Sequence, residues 1–519
     1  MNQYIKICLK LFLYTRLFFI SLIILVYSTK LVSKYDLSTD LLLISEKSKA
    51  EKLNNLEKII YKFFSYFCSY DALHFILIAK LNYFNDNIFA FFPLFPWLIR
   101  GFARVFELII PFKSEFIPFI VSGFIISNIL CFANCLLLFA IIYKLTNSLK
   151  KAKICVLLFL INPGTIFYIS IYSENLYLLL QLIFVHFIIK SGEEKFQELN
   201  TKSLGDIKEN SVSYFFQMAC LIIGLLMTRS NSIALCTYFI IPAFLIIFYK
   251  EKYMRSFTYF SFYHNLCQFM KLLSKVFKEI RVYFLLCFHA CLCFVYMTRY
   301  KPKWVICSNI KRGINKGLTK YDLFEKWCSP KPSESGINSF YSYIQKEYWN
   351  VGFLKQYSFN TIDRIILALP MNILSLYVFY KLYNYFNFSE LLTEFNFGKF
   401  FIHNSIYEDD LLSNHNNNAH QQAIKNVYRN NISANAFIIG GGLNYLISFL
   451  ILVFIAHPQI NNRLLTTCPI LYLAISGDII DFIENNKKGN YKKGLAIFIF
   501  FISFAILGCT MQVGSYGFA

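Results

Sequence analysis

The strongest constraint on this chain is the length of its uncharged apolar runs. Residues 116–143 contain no Asp, Glu, Lys or Arg, and neither do residues 494–519. A run of about 18 or more such residues, wound as a helix, crosses the hydrocarbon core of a bilayer. The rest of the chain agrees. Only 16% of the 519 residues are charged and 56% are hydrophobic, whereas a soluble domain carries about 25% charged residues. Too few charges remain to coat a water-facing globule.

The expected fold is therefore all-α, a polytopic transmembrane helix bundle in one membrane-embedded domain, with about 11 spans. They fall near 7–32, 117–143, 153–169, 172–190, 213–227, 232–249, 282–298, 365–384, 434–456, 464–483 and 494–512. Residues 154–189 hold one charge, Glu174. As a single helix this stretch would be about 54 Å long, too long for one crossing. Asn162-Pro163-Gly164 breaks it, so it reads as two spans joined by a tight hairpin. The N-terminal apolar stretch has no small-residue cleavage site after it and reads as an uncleaved first span.

Short loops set orientation through Lys and Arg. Lys144, Lys150, Lys151 and Lys153 mark one cytoplasmic loop, and Lys487, Lys488, Lys492 and Lys493 another. The 162–175 hairpin has no basic residue, and the turn 457–463 has only Arg463. Both belong on the opposite side. So do two large loops, 33–116 and 299–364; the second is basic but longer than the charge rule covers. Residues 385–433, with their NHNNNAHQQ run, read as a disordered Asn-rich cytoplasmic insert. The net charge of +21 lies mostly between apolar blocks, where it orients spans and meets anionic lipid rather than nucleic acid. Most of the 15 Cys sit inside apolar blocks. Cys307 and Cys328 share a polar loop, and spacing leaves open whether they pair.

Five polar clusters fall on the non-cytoplasmic side: YDALHFILIAK from Tyr70, NPGTIFYISIYSEN from Asn162, TRSNS from Thr228, YIQKEYWNVGF from Tyr343 and HPQINNRLL from His457. Parallel helix ends bring distant loops together at one membrane face. A site there would have Asp71 as candidate base, Arg229, Arg463, Lys80 and His457 as cations, and Tyr348 and Trp349 as stacking rings. Each has a plainer reading. Asp71 and His74 lie three apart and suit a helix-surface pair. Glu174 suits a hairpin tip, and the two arginines suit interfacial anchors.

These same motifs carry a resemblance. YDALHFILIAKLNYFNDNIFAFFPLFP, NPGTIFYISIYSEN, TRSNS, WCSP followed by YIQKEYWNVGFLKQY and LALP, and HPQINNRLLTTCPILYL occur in the order found in the GPI mannosyltransferase 2 (PIG-V) family. The resemblance covers about residues 60–480, apart from the insert. One departure is Tyr70, where the family pattern has Trp before the Asp.

The resemblance implies a GT-C type bundle in the endoplasmic reticulum membrane with its site on the luminal side. It implies transfer of the second mannose, in α1,6 linkage, from dolichyl phosphate mannose to a Man-GlcN-phosphatidylinositol intermediate. A β-linked donor giving an α product means one inverting displacement, which needs a single general base. Asp71 takes that role. Arg463, Arg229, His457 and Lys80 are the donor-phosphate candidates, since cations stabilise the leaving phosphate. Tyr70, His74, Glu174, Gln345, Tyr348, Trp349 and Asn350 are the acceptor and sugar candidates. No cofactor and no metal is assigned. The partners implied are the lipid-linked donor, the glycolipid acceptor and a small accessory membrane subunit. The rivals are another dolichyl-phosphate-sugar transferase of the same architecture, a transporter, and a non-catalytic scaffold. A transporter would line several span centres with charge, whereas here polar residues collect on one side.

Overall fold

A computed structural model of the protein describes residues 2–32, 54–83, 87–201, 211–239, 281–311, 328, 340–357, 359–385, 437–456, 460–486 and 490–514. The described residues form helices and turns, with no strand among them. Among the described residues seven helices are long and apolar enough to cross a membrane, and a bent pair, Asn461–Thr467 and Pro469–Ile483, turned by 88°, passes the same test when its two parts are taken together. Three of the eleven expected spans take another form. Residues 153–169 split into helices Leu149–Leu160 and Thr165–Ile169. Residues 213–227 form the short helix Ser211–Leu226. Of residues 232–249, the described part lies in the 3₁₀ helix Ser230–Phe239. The 386–436 stretch, most of the Asn-rich insert, and His457 lie outside the described residues.

Helix Ile117–Thr146 is central and packs on Leu94–Ile109, Leu149–Leu160 and Glu174–Thr201. Its contact face carries small residues, as membrane helix pairs require for close approach. A Cβ on Gly123 would meet Ile171 at 2.6 Å. Asn134 donates from Nδ2 to the Asn175 carbonyl at 2.9 Å, and Asn175 Nδ2 donates to the carbonyls of Ser127 and Tyr168, both at 2.9 Å. These bonds tie the broken stretch to helix Ile117–Thr146 and hold its own turn together.

The break is not one hairpin. Asn162 Oδ1 accepts from the Gly164 amide at 2.7 Å and closes a first turn. Helix Thr165–Ile169 follows, and a second turn over 170–173 precedes Glu174. All residues from Ile161 to Leu178 are buried, so this segment is a plug within the bundle rather than an exposed tip.

The two ends of the bundle are distinct. Lys150 Nζ reaches Glu484 at 2.6 Å, which joins two of the basic loops at one end. At the other end, Gln512 Nε2 donates to the Tyr66 carbonyl at 3.2 Å, and the Leu354 amide to the Phe454 carbonyl at 2.7 Å. The basic 299–364 loop contributes helix Phe340–Trp349 to this second end. Phe340 and Ile344 pack with Phe89 and Ile306. Cys307 and Cys328, left open by spacing, are joined in a disulfide with Cα atoms 5.6 Å apart.

Candidate functional site

Asp71 opens helix Asp71–Leu81. Tyr70 before it has φ 56°, a left-handed conformation uncommon for a side chain of this size. The chain is held in that turn from behind: Tyr172 Oη donates to the Ser69 carbonyl at 3.1 Å, and the Ile171 amide to the Phe67 carbonyl at 3.3 Å. The plug segment therefore sets where the Asp71 helix begins.

The Asn462 backbone sets the position of Arg463. A Cβ on Gly164 would lie 2.7 Å from the Asn462 carbonyl oxygen, so only glycine allows the two turns to touch. Thr466 Oγ1 accepts from or donates to Tyr168 Oη at 3.4 Å and donates to the carbonyls of Asn462 at 2.9 Å and Arg463 at 3.0 Å. The Arg463 guanidinium then lies over the rings of Tyr172, at 4.8 Å, and Phe167, at 5.2 Å. Such stacking favours a weakly hydrated planar cation.

Four segments meet in one charge cluster. Arg463 donates from Nε to Glu174 Oε1 and from Nη1 to Asp71 Oδ2. Arg229, just past helix Ser211–Leu226, donates from Nη1 to the same Glu174 oxygen. Glu174 is fully buried, Arg463 nearly so, while the Asp71 side chain is 30% exposed. The formal charges cancel, two of each sign. Removing any one member of this cluster would leave a buried charge uncompensated. Neither arginine is a snorkelling anchor, and Glu174 is not a hairpin tip. It is the buried carboxylate that sets the spacing of the two arginines.

His74 lies one helical turn from Asp71. Its ring stacks on Phe91 at 4.7 Å with 21° between planes. Burial holds its pKa below the usual histidine range, against the opposing charge of Asp71. Its Nδ1 has no hydrogen-bond partner among the described residues. Phe91 in turn meets Trp349 edge-on at 6.2 Å, and Tyr348 and Trp349 are exposed at this end. Asn350 follows with φ 50°; Gln345 is half-buried and accepts the Val351 amide through its carbonyl at 3.0 Å. These rings form one wall beside Asp71.

Lys80 is not brought in. It sits at the far end of the Asp71 helix, about 14 Å along the axis at ~1.5 Å per residue. There it pairs with Glu115 and lies 4.1 Å from the centre of the Phe116 ring. Sequence reasoning also missed residues. Tyr172 and Phe167 lie inside the NPGTIFYISIYSEN motif, where nothing in the sequence singles them out. Tyr341, whose Oη pairs with Ser230 Oγ at 2.9 Å beside Arg229, closes the site from the 299–364 loop. Only its position two residues before Tyr343 hinted at this.

Comparison with known proteins gives a consistent family. The family model described as mannosyltransferase (PIG-V) matches residues 5–515. GPI mannosyltransferase 2 of Drosophila melanogaster is 23% identical, covering 61% of this chain and 64% of that one. GPI alpha-1,6-mannosyltransferase 2 of Homo sapiens is 24% identical, covering 59% of this chain and 55% of that one. The chain thus spans between about half and two-thirds of these relatives' length. Among solved structures, the archaeal oligosaccharyltransferase AglB from Archaeoglobus fulgidus, in complex with an inhibitory peptide and a dolichol-phosphate, superposes with a TM-score of 0.38 and 11% identity, covering 88% of this chain and 52% of that one.

Proposed function

Because this chain belongs to the mannosyltransferase (PIG-V) family, whose model spans residues 5–515, we propose that it adds the second mannose of the GPI anchor. The donor is dolichyl phosphate mannose, the acceptor a Man-GlcN-phosphatidylinositol lipid, and the new linkage α1,6. The membrane is that of the endoplasmic reticulum, with the site at its luminal face. The helical bundle, with seven long apolar helices and one bent pair among the described residues, is read as one of GT-C type.

One observation carries this reading: a partly exposed carboxylate, Asp71, pairs with Arg463, which shares one buried glutamate with Arg229. Asp71 takes the proton of the acceptor hydroxyl. The acceptor oxygen bonds to the mannose anomeric carbon, and the bond from that carbon to the phosphate oxygen breaks. The phosphate leaves with the electron pair, and negative charge has moved from Asp71 to phosphate. Arg229 and Arg463 stabilise it there. A single displacement needs one base and no protein nucleophile. The rings of Tyr348 and Trp349 supply a stacking wall for sugar. The disulfide Cys307–Cys328 at the same end favours an oxidising compartment for that face.

The experiment is rescue of a cell line lacking this transferase, with its glycolipids identified. The expected result is consumption of an accumulated one-mannose intermediate and appearance of the two-mannose product. Continued accumulation with the protein inserted would reject the reading.

A further inference from the structure

The cluster contains a competition that the transfer reaction alone does not require. Arg463 uses its inner nitrogen, Nε, on Glu174 and its outer nitrogen, Nη1, on Asp71. One of the two Asp71 oxygens, Oδ2, is thus already accepting from Arg463. The Glu174 contact is fully buried, whereas Asp71 is 30% exposed at the mouth. Only the outer contact can be exchanged without opening the bundle. Arg463 is further fixed by the Tyr172 and Phe167 rings, so its guanidinium stays in place while its outer partner changes.

We infer that Glu174 is a positioning residue that pins Arg463, and that Asp71 and the donor phosphate compete for the outer nitrogen of Arg463, so that donor binding releases the base. The inference rests on the proposed mannosyl transfer. Before the donor arrives, two carboxylates and two guanidiniums neutralise each other. The donor phosphodiester, with one negative charge, takes the place of Asp71 on Arg463. The freed carboxylate then faces the acceptor hydroxyl with both oxygens clear of Arg463. Without the donor, Asp71 stays latched and activates no acceptor or water. The order is donor first, acceptor second.

The test is equilibrium binding of dolichyl phosphate to the purified full-length protein in lipid nanodiscs, measured beside mannose transfer. Asp71→Asn removes the competing charge while keeping side-chain shape. It is expected to bind dolichyl phosphate about tenfold more tightly, the size of one charge-assisted hydrogen bond no longer contested, and to transfer no mannose. Glu115→Gln removes the carboxylate paired with Lys80 at the far end of the Asp71 helix and is expected to leave that affinity unchanged. Loss of transfer with unchanged or weaker phosphate binding in Asp71→Asn would overturn the exchange and leave the base assignment standing. Equal tightening in Glu115→Gln would reduce the effect to net charge and also overturn it. Retained transfer in Asp71→Asn would instead overturn the base assignment itself.

Discussion

Gly164 touches the backbone of Asn462 so closely that a methyl group on it would lie 2.7 Å from the Asn462 carbonyl oxygen and 3.0 Å from Thr466 Oγ1. This contact joins the plug segment to the turn carrying Arg463. Gly164→Ala must push that turn away. Misplacement by about 1 Å costs up to a hundredfold in rate when geometry is preorganised. We expect turnover at saturating donor to fall by about ten- to a hundredfold with the protein still inserted. Unchanged turnover would show that this contact does not set the position of Arg463.

Arg463→Lys separates charge from shape. A lysine keeps the positive charge but cannot reach Glu174 and Asp71 from two fixed nitrogens, nor stack as a plane on Tyr172. Turnover is expected to drop by about a hundredfold, near 3 kcal/mol of lost transition-state stabilisation, and further in Arg463→Ala. The readout is turnover normalised to inserted protein. Full activity in the lysine variant would remove Arg463 from the site.

Glu174→Gln leaves two guanidiniums in a dry interior without their carboxylate. Breaking a buried ion pair by removing one partner costs about 3–5 kcal/mol. The variant should therefore unfold at a clearly lower temperature in detergent. Adding Arg463→Met is expected to recover part of that stability and none of the turnover. Thermal unfolding of the single and double variants checks this, and additive losses would rule out the coupling.

His74 supplies a pH dependence with a definite sign. Burial keeps it neutral in the folded protein, below its ordinary pKa, while the unfolded chain protonates it near pH 6.5. The unfolded state thus binds more protons below about pH 6.5, and stability falls as pH drops through that range. His74→Phe, which keeps the stack on Phe91, should lessen the loss of unfolding temperature between about pH 7.5 and 5.5. An identical loss in both proteins would show that His74 is not the titrating group.

Much of the fold was legible from residue type alone. Uncharged runs such as 116–143 leave the backbone no partner but itself, so helices follow from local chemistry. The Asn162-Pro163-Gly164 break was legible for the same reason, since proline removes a donor and asparagine and glycine close turns. The form of the break was not. That the plug makes two turns and lies buried depends on Asn134 reaching Asn175, 41 residues away, on Asn175 reaching Ser127, 48 residues away, and on Gly123 meeting Ile171.

The sequence by itself determined that this chain lives in a membrane, where its helices run, and that polar residues gather at one end. It also supplied Asp71, Arg229, Glu174 and Arg463 as candidates, because charge beside apolar helix ends stands out. Only the tertiary structure decided their partners. Asp71 and Arg463 are 392 residues apart, and no periodicity encodes a contact across that distance. The structure turned Glu174 from an acceptor candidate into the buried partner of both arginines, and it sent Lys80 to Glu115. The physical reason is that a charge's role in a low-dielectric interior is set by which opposite charge it meets there, and packing decides that meeting.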